Sequence, residues 1–294
     1  MLSYTHCELC PRKCGVDRTS GKLGFCREPD RIYAARAAAH YWEEPVISGS
    51  FGSGAVFFSG CTLKCCFCQN GIISQENLGK EITPDHLRDI LLKLIDDGVQ
   101  NINLVTPTHF LPSILPALTP KLPVPIVYNC GGYERVETLR ELEGLIDIYL
   151  PDMKYSDSSL ATKLSAAPDY VETAKAAIQE MYRQVGPSVI EDDMMQRGMI
   201  VRHLILPGQI DNSLGVLDWF SETFTKGDVL LSLMSQYVPM GKAKTMPPLD
   251  RPITEEEYDA VLSYLEFLGI ENGYTQDFSA ATEDYIPDFS FEGL

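Results

Sequence analysis

Cys61, Cys65, Cys66 and Cys68 fall within one short stretch, GCTLKCCFCQN at residues 60 to 70, of a chain with nine cysteines in all. Thiols this dense are metal ligands in a reducing compartment, and their spacing decides which metal group they suit. Two frames share the same letters. Cys61, Cys65 and Cys68 form C-x3-C-x2-C on a loop opened by Gly60, which can wrap a compact iron–sulfur cube and leave one of its irons without a protein ligand. Cys61, Cys66 and Cys68 form C-x4-C-x1-C, in which the last two side chains diverge. The difference matters chemically: a cluster with every iron capped passes electrons, whereas one with a bare iron can bind and cleave a substrate. Outside the first frame, Cys66 reads as a small buried apolar side chain. The short steps between these cysteines disfavour a zinc site built from all of them.

A second group precedes it. Cys7, Cys10, Cys14 and Cys26 stand in CELCPRKC and GKLGFC, a C-x2-C-x3-C start with a distant further thiol. This set suits either tetrahedral zinc or a second, fully ligated 4Fe-4S cluster, and spacing leaves both open.

The elements that would carry these loops alternate. Apolar, β-branched runs lie at 55–60, 101–106, 124–129, 146–150, 200–206 and 229–234, with amphipathic stretches between them. TPDHLRDILLKLIDDG, for example, offers Thr83 as N-cap, Pro84 at the first helical position and Gly98 as the stop, with Leu87, Ile90, Leu91 and Leu94 on one stripe. Strands separated by helices predict a parallel sheet. Six such units suit a partial (β/α)6 TIM-like barrel, with a doubly wound open sheet as the competing topology. The expected organisation is a cysteine-rich metal-binding segment at residues 1–45, the barrel at 46–270 and a tail at 271–294. That tail is acidic and aromatic, and reads as a strap on the barrel or as a docking or active-site-covering element. In either parallel topology, reactive groups gather at the C-terminal ends of the strands, which is where the cysteine loop falls.

Charge narrows the partners. With 41 acidic and 24 basic side chains, a formal net charge of −17, the surface repels phosphates, which argues against nucleic acid. The first residues contain no apolar run of a secretory leader, and no stretch approaches a membrane span. The expectation is a cytoplasmic protein with reduced thiols.

Cys61, Cys65 and Cys68, with Phe67 before the last and Gln69-Asn70 after it, resemble the cluster loop of the radical S-adenosylmethionine superfamily. Within it the loop is most similar to the branch of pyruvate formate-lyase activating enzymes, including uncharacterised members with a cysteine-rich head. The resemblance selects the first frame. It implies a 4Fe-4S cluster whose open iron chelates S-adenosylmethionine, reductive cleavage to a 5'-deoxyadenosyl radical, and hydrogen abstraction from a substrate. The substrate would be a glycyl radical protein or, alternatively, a small molecule or peptide, with flavodoxin or ferredoxin as electron donor. A non-catalytic iron–sulfur or zinc electron-transfer protein is the reading from another class.

The resemblance also assigns roles residue by residue. Phe67 and Asn70 would flank the cofactor. YNCGGYE aligns Asn129, Gly131 and Gly132 with an aspartate-threonine-asparagine-glycine stretch. Asp152 and Lys154 match an aspartate-x-lysine, and Arg202 an arginine-bearing strand, with Lys154 and Arg202 as candidate catalytic groups. Two departures stand out. VTPTHF, with Thr106, Thr108 and His109, occupies the place of a glycine-glycine-glutamate that receives the cofactor's amino group. SQY, residues 235–237, stands where activators carry a histidine.

Overall fold

The computed structural model describes residues 2–280 and 287–294. Among the described residues ten strands form one sheet: β1 (Ile32–His40), β2 (Ser53–Phe58), β3 (Lys80–Ile82), β4 (Ile102–Val105), β5 (Ile126–Cys130), β6 (Ile148–Pro151), β7 (Val189–Glu191), β8 (Met194–Leu204), β9 (Leu230–Met234) and β10 (Gly273–Thr275). The strands β2, β4, β5, β6, β8 and β9 lie side by side in chain order, each parallel to the next. A doubly wound sheet requires that order to reverse at a switch point. It does not reverse here, so the topology is the open, partial-barrel one.

Helices cover the outside for local reasons. Thr83 caps Pro84–Asp96 by accepting from the His86 amide at 3.1 Å, and Leu87, Ile90, Leu91 and Leu94 are the buried stripe. Thr254 and Glu257 close a capping box on Glu255–Phe267. Tyr170–Val185 and Ile210–Thr223 complete the long helices, whereas the run after β5 is helical only over Val136–Arg140. Strands β2, β4, β5 and β6 are buried along their whole length, because helices pack on one face and polar side chains with the flanking segments fill the other. Among the described residues no helix is long and apolar enough to cross a membrane.

The sheet extends beyond the parallel core at both edges. β1 pairs antiparallel with β2 and β3, so the sheet begins inside the first 45 residues and the cysteine-rich part ends before Ile32. At the other edge β10, from the expected tail, adds parallel to β9. The chain's last residues return to β1, where Phe291 donates to the Ala35 carbonyl at 3.1 Å and Ala37 donates to that of Glu292 at 2.9 Å. The part of the tail at 281–286 lies outside the described residues.

Candidate active site

The loop after β2 turns at Gly60, which holds φ +75°; a Cβ there would stand 2.5 Å from Glu28 Cγ. From this turn Cys61, Cys65 and Cys68 face one another closely enough for each to disturb its neighbours' ionisation. The Leu63 amide donates to Cys61 Sγ at 3.4 Å and the Ser165 hydroxyl to Cys65 Sγ at 3.0 Å, while Cys68 Sγ lies 3.2 Å from Ser74 Oγ. Burial pushes the free thiols up, Cys61 to about 12 and Cys65 to about 11. A bound metal reverses that balance by supplying positive charge to the thiolates.

Cys66 is turned elsewhere. Its amide donates to Leu164 O at 2.8 Å, its carbonyl accepts from Ala243, and the charges acting on its thiol are those of Lys242 and Lys163. Among the described residues no group of three or more His, Cys, Asp or Glu side chains is arranged around a single ion. A four-iron cube holds its thiolates farther apart than one ion does. Three convergent soft ligands with hydrogen-bond donors to sulfur fit such a cluster.

Beside the loop lies a cavity of about 310 Å³, lined by Cys65, Phe67, Cys68 and Asn70 and by the strand-end residues Asn129, Asp152, Lys154 and Arg202. Arg202 organises its polar wall. Its Nε donates to Asp152 Oδ1 at 2.8 Å, Nη1 to Glu43 Oε2 at 3.0 Å and Nη2 to Asn129 Oδ1 at 2.7 Å. Lys154 Nζ donates to Asp152 Oδ2. Burial works against both charges of the Lys154–Asp152 pair, yet the attraction wins: Lys154 is raised above an ordinary lysine and Asp152 is lowered. His203, the neighbour on β8, points to the opposite face. Its Nδ1 meets the Met153 carbonyl at 2.7 Å and its Nε2 the Ser213 hydroxyl at 2.9 Å.

Thr106, Thr108, His109, Gly131 and Gly132 are not among the residues that line this cavity. Thr106, just after β4, stands at φ +58° and donates its amide to Asn129 O at 2.8 Å. Thr108 donates to Glu134 Oε1 at 2.8 Å and accepts from Tyr128, within the core. His109 lies behind the cysteine loop, with Nε2 2.6 Å from Ser59 O; burial lowers its pKa to about 3, so it stays neutral. Gly131 and Gly132 make close approaches to the chain itself: a Cβ on Gly132 would overlap the Asp152 carbonyl, and one on Gly131 would meet Leu63 Cδ1 at 3.0 Å. In SQY, Gln236 lines the cavity while Tyr237 donates to Leu249 O at 2.6 Å.

No family model matches the chain. The uncharacterized protein MJ0674 of Methanocaldococcus jannaschii is 31% identical over 274 residues, which are 90% of this chain and 75% of that protein. The chain belongs to the MJ0674 family. Among solved structures, Streptococcus suis SuiB superimposes with a TM-score of 0.50 at 16% identity, covering 76% of this chain and 50% of SuiB. The chain thus spans about half the length of that protein. A domain of a pyruvate-formate lyase-activating enzyme from Bacteroides vulgatus ATCC 8482 gives a TM-score of 0.38 at 13% identity, over 66% of this chain and 91% of that domain. The likeness to SuiB is one of fold, and it agrees with the partial β/α barrel expected from the sequence.

The N-terminal cysteines of this MJ0674-family chain also converge. Cys10 is acted on by Cys26 and Cys14, and Cys26 by Cys7, while the Phe25 amide donates to Cys14 Sγ at 3.3 Å. Arg18, 1% exposed, directs Nη1 towards Cys7 Sγ at 3.8 Å and donates to the carbonyls of His109 and Pro29. Arg12 fastens this head to the cysteine loop, donating to Thr62 O at 2.8 Å, and to the end of the helix Ser158–Ser165, donating to Ala166 O at 2.6 Å.

Sequence reasoning missed Glu43 and Glu44, which line the cavity. Their only local signal is an acidic doublet before Pro45, and it carries no periodicity.

Proposed function

We propose that this chain is a radical S-adenosylmethionine enzyme. One observation carries the reading: Cys61, Cys65 and Cys68 lie close together, Cys65 and Cys68 lining a cavity walled by Asn129, Asp152, Lys154 and Arg202, while Cys66 turns away and leaves three ligands. A 4Fe-4S cluster held by these three would supply an open iron to chelate S-adenosylmethionine and an electron to cleave it to a 5'-deoxyadenosyl radical. The chain's own residues position and shield. Phe67 and Asn70 flank the cofactor from the cysteine loop. Asn129 and Asp152 present hydrogen-bonding groups from the strand ends, and Arg202 locks both in place. Lys154, held charged by Asp152, stands near Cys65 and stabilises negative charge there. In this reading Thr106, Thr108, His109, Gly131 and Gly132 act through the loops they brace, and recognition of the cofactor's amino group falls to other donors and acceptors.

Of the substrates weighed from the sequence, a glycyl radical protein and a small molecule or peptide, the cavity's volume of about 310 Å³ favours the small molecule or a peptide side chain. Glu43 narrows it, held in place by hydrogen bonds from Arg202, Asn103 and Asn129. We further propose that Cys7, Cys10, Cys14 and Cys26 hold a second metal centre, zinc or 4Fe-4S. Support comes from Arg18: a fully buried guanidinium among carbonyls calls for an anion, and metal-bound thiolates would supply it. A flavodoxin or ferredoxin is the proposed electron donor, and the cytoplasm the proposed compartment.

The test is anaerobic reconstitution with iron and sulfide, followed by dithionite and S-adenosylmethionine. Release of 5'-deoxyadenosine is expected. An intact cluster that releases none would leave the electron-transfer alternative.

A further inference from the structure

The cavity has two ends. Cys65, Cys68 and Asn70 form one, on the loop that follows the last residue of β2. His40, Trp42, Glu43 and Glu44 form the other, from the turn after β1, whose last residue His40 pairs with Ser53, the first of β2. Between them the charges do not balance. Arg202 pairs with Asp152 and Glu43, and Lys154 pairs with Asp152. Glu44 forms no ion pair among the described residues, although it is 8% exposed and lines the cavity. Its Oε2 is buried without a hydrogen-bond partner.

A carboxylate in that position costs free energy unless a cation or a proton meets it. Among the described residues none forms an ion pair with it, although Arg202 attracts it from a distance. Arg202 is occupied, and His40 is kept neutral, its pKa lowered to about 4 first by burial and then by Arg36 and Arg202. What surrounds Glu44 suits an ammonium. Ser232 lies beside the carboxylate, Tyr274 is within its electrostatic reach, and Trp42, Phe57 and Tyr274 bring aromatic surface to the same cavity. Glu43, fully bonded to Asn103, Asn129 and Arg202, is a fixed wall and not a competing receptor.

We infer that the base of the cavity binds the protonated amine of the substrate, with Glu44 as its counter-ion and the substrate's carbon skeleton directed at the cysteine loop. This rests on the proposed radical reading, because it names the substrate class for that site. An ammonium brings one positive charge and several donors to the place where one acceptor is unserved. A neutral alcohol of the same size brings no charge. Free small amines and a lysine side chain share this chemistry.

The test is calorimetric titration of the reconstituted full chain with n-butylammonium chloride, with n-butanol, and with the blocked tripeptide Gly-Lys-Gly beside Gly-Gly-Gly. The expected result is that one of the cationic probes binds at least about tenfold tighter than its neutral counterpart, and that Glu44→Gln abolishes the preference. A preference shown by butylammonium assigns a small-molecule amine, and one shown only by the lysine peptide assigns a peptide substrate. Equal binding of charged and neutral probes, or a preference that survives Glu44→Gln, overturns the inference. Should Glu44→Gln fail to fold, the comparison in the wild-type chain still decides. Cofactor cleavage is assayed in parallel on wild type. No 5'-deoxyadenosine overturns the radical reading and leaves amine binding readable, whereas cleavage without amine preference overturns this inference alone.

Discussion

Arg202 Nε donates to Asp152 Oδ1 at 2.8 Å, and the same two residues form the backbone bridge that continues β6 onto β8. The side-chain pair and the strand pairing therefore hold each other in register. One guanidinium also reaches Glu43 and Asn129, which a single ammonium cannot reproduce. Arg202→Lys is expected to leave Glu43 without a charge partner and to cost about 3–5 kcal/mol. Urea unfolding checks this as a lower midpoint at unchanged slope. A midpoint equal to wild type would show that the network bears no structural load.

The stability of the fold is expected to depend on pH through Glu134. It is 2% exposed, accepts from Thr108 and Tyr128, and burial raises its pKa from 4.5 to about 8. A carboxyl raised in the folded state favours folding fully below its unfolded pKa, and that contribution is lost as pH rises through the folded value. Between 4.5 and about 8, wild type should therefore lose stability relative to Glu134→Gln, by up to about 1.4 kcal/mol per pH unit. Unfolding curves of both proteins at several pH values measure the difference, and a constant gap across that window would contradict it.

Cys66 and Cys65 are adjacent in the chain and opposite in environment. Cys66→Ala is expected to keep the iron content of the reconstituted protein, whereas Cys61→Ala, Cys65→Ala and Cys68→Ala each lower it. Iron and sulfide analysis on proteins that also carry Cys7→Ala separates the two cysteine groups. Equal iron loss in the Cys66 and Cys65 variants would reverse the choice of ligands.

Gly132 sits at φ +75° with no space for a Cβ against the Asp152 carbonyl. Gly132→Ala combines left-handed strain with a backbone clash and is expected to cost at least about 2 kcal/mol. Gly131→Ala meets the flexible end of Leu63 instead and should cost less. Thermal unfolding of the two variants side by side gives the comparison, and equal melting temperatures would refute it.

How much of this was legible beforehand follows from the range of the forces involved. The cysteine spacing, the Thr83 and Thr254 caps and the alternation of apolar runs are local: each acts over a few residues, so the chain itself carries them. They determined a parallel β/α sheet and placed the cysteine loop at a strand end. Strand order was not local. Spacing allowed either a partial barrel or a doubly wound sheet, and only the pairing of strands in sequence order separated them. That Arg202 lines the cavity while its neighbour His203 does not was likewise decided by how β8 packs.

Long-range contacts settled the rest. Arg202 and Glu43 are 159 residues apart, and no pattern near either residue announces the other. The second-strand loop looked able to reach the cofactor, yet Thr108 and His109 are taken up by core hydrogen bonds to Glu134 and Ser59. By itself the sequence determined which thiols could hold a metal, because ligand spacing is set by the chain's own covalent geometry. Only the tertiary structure decided which side chains share the cavity with them, because that depends on where distant segments pack, as Glu44 opposite the cysteine loop makes plain.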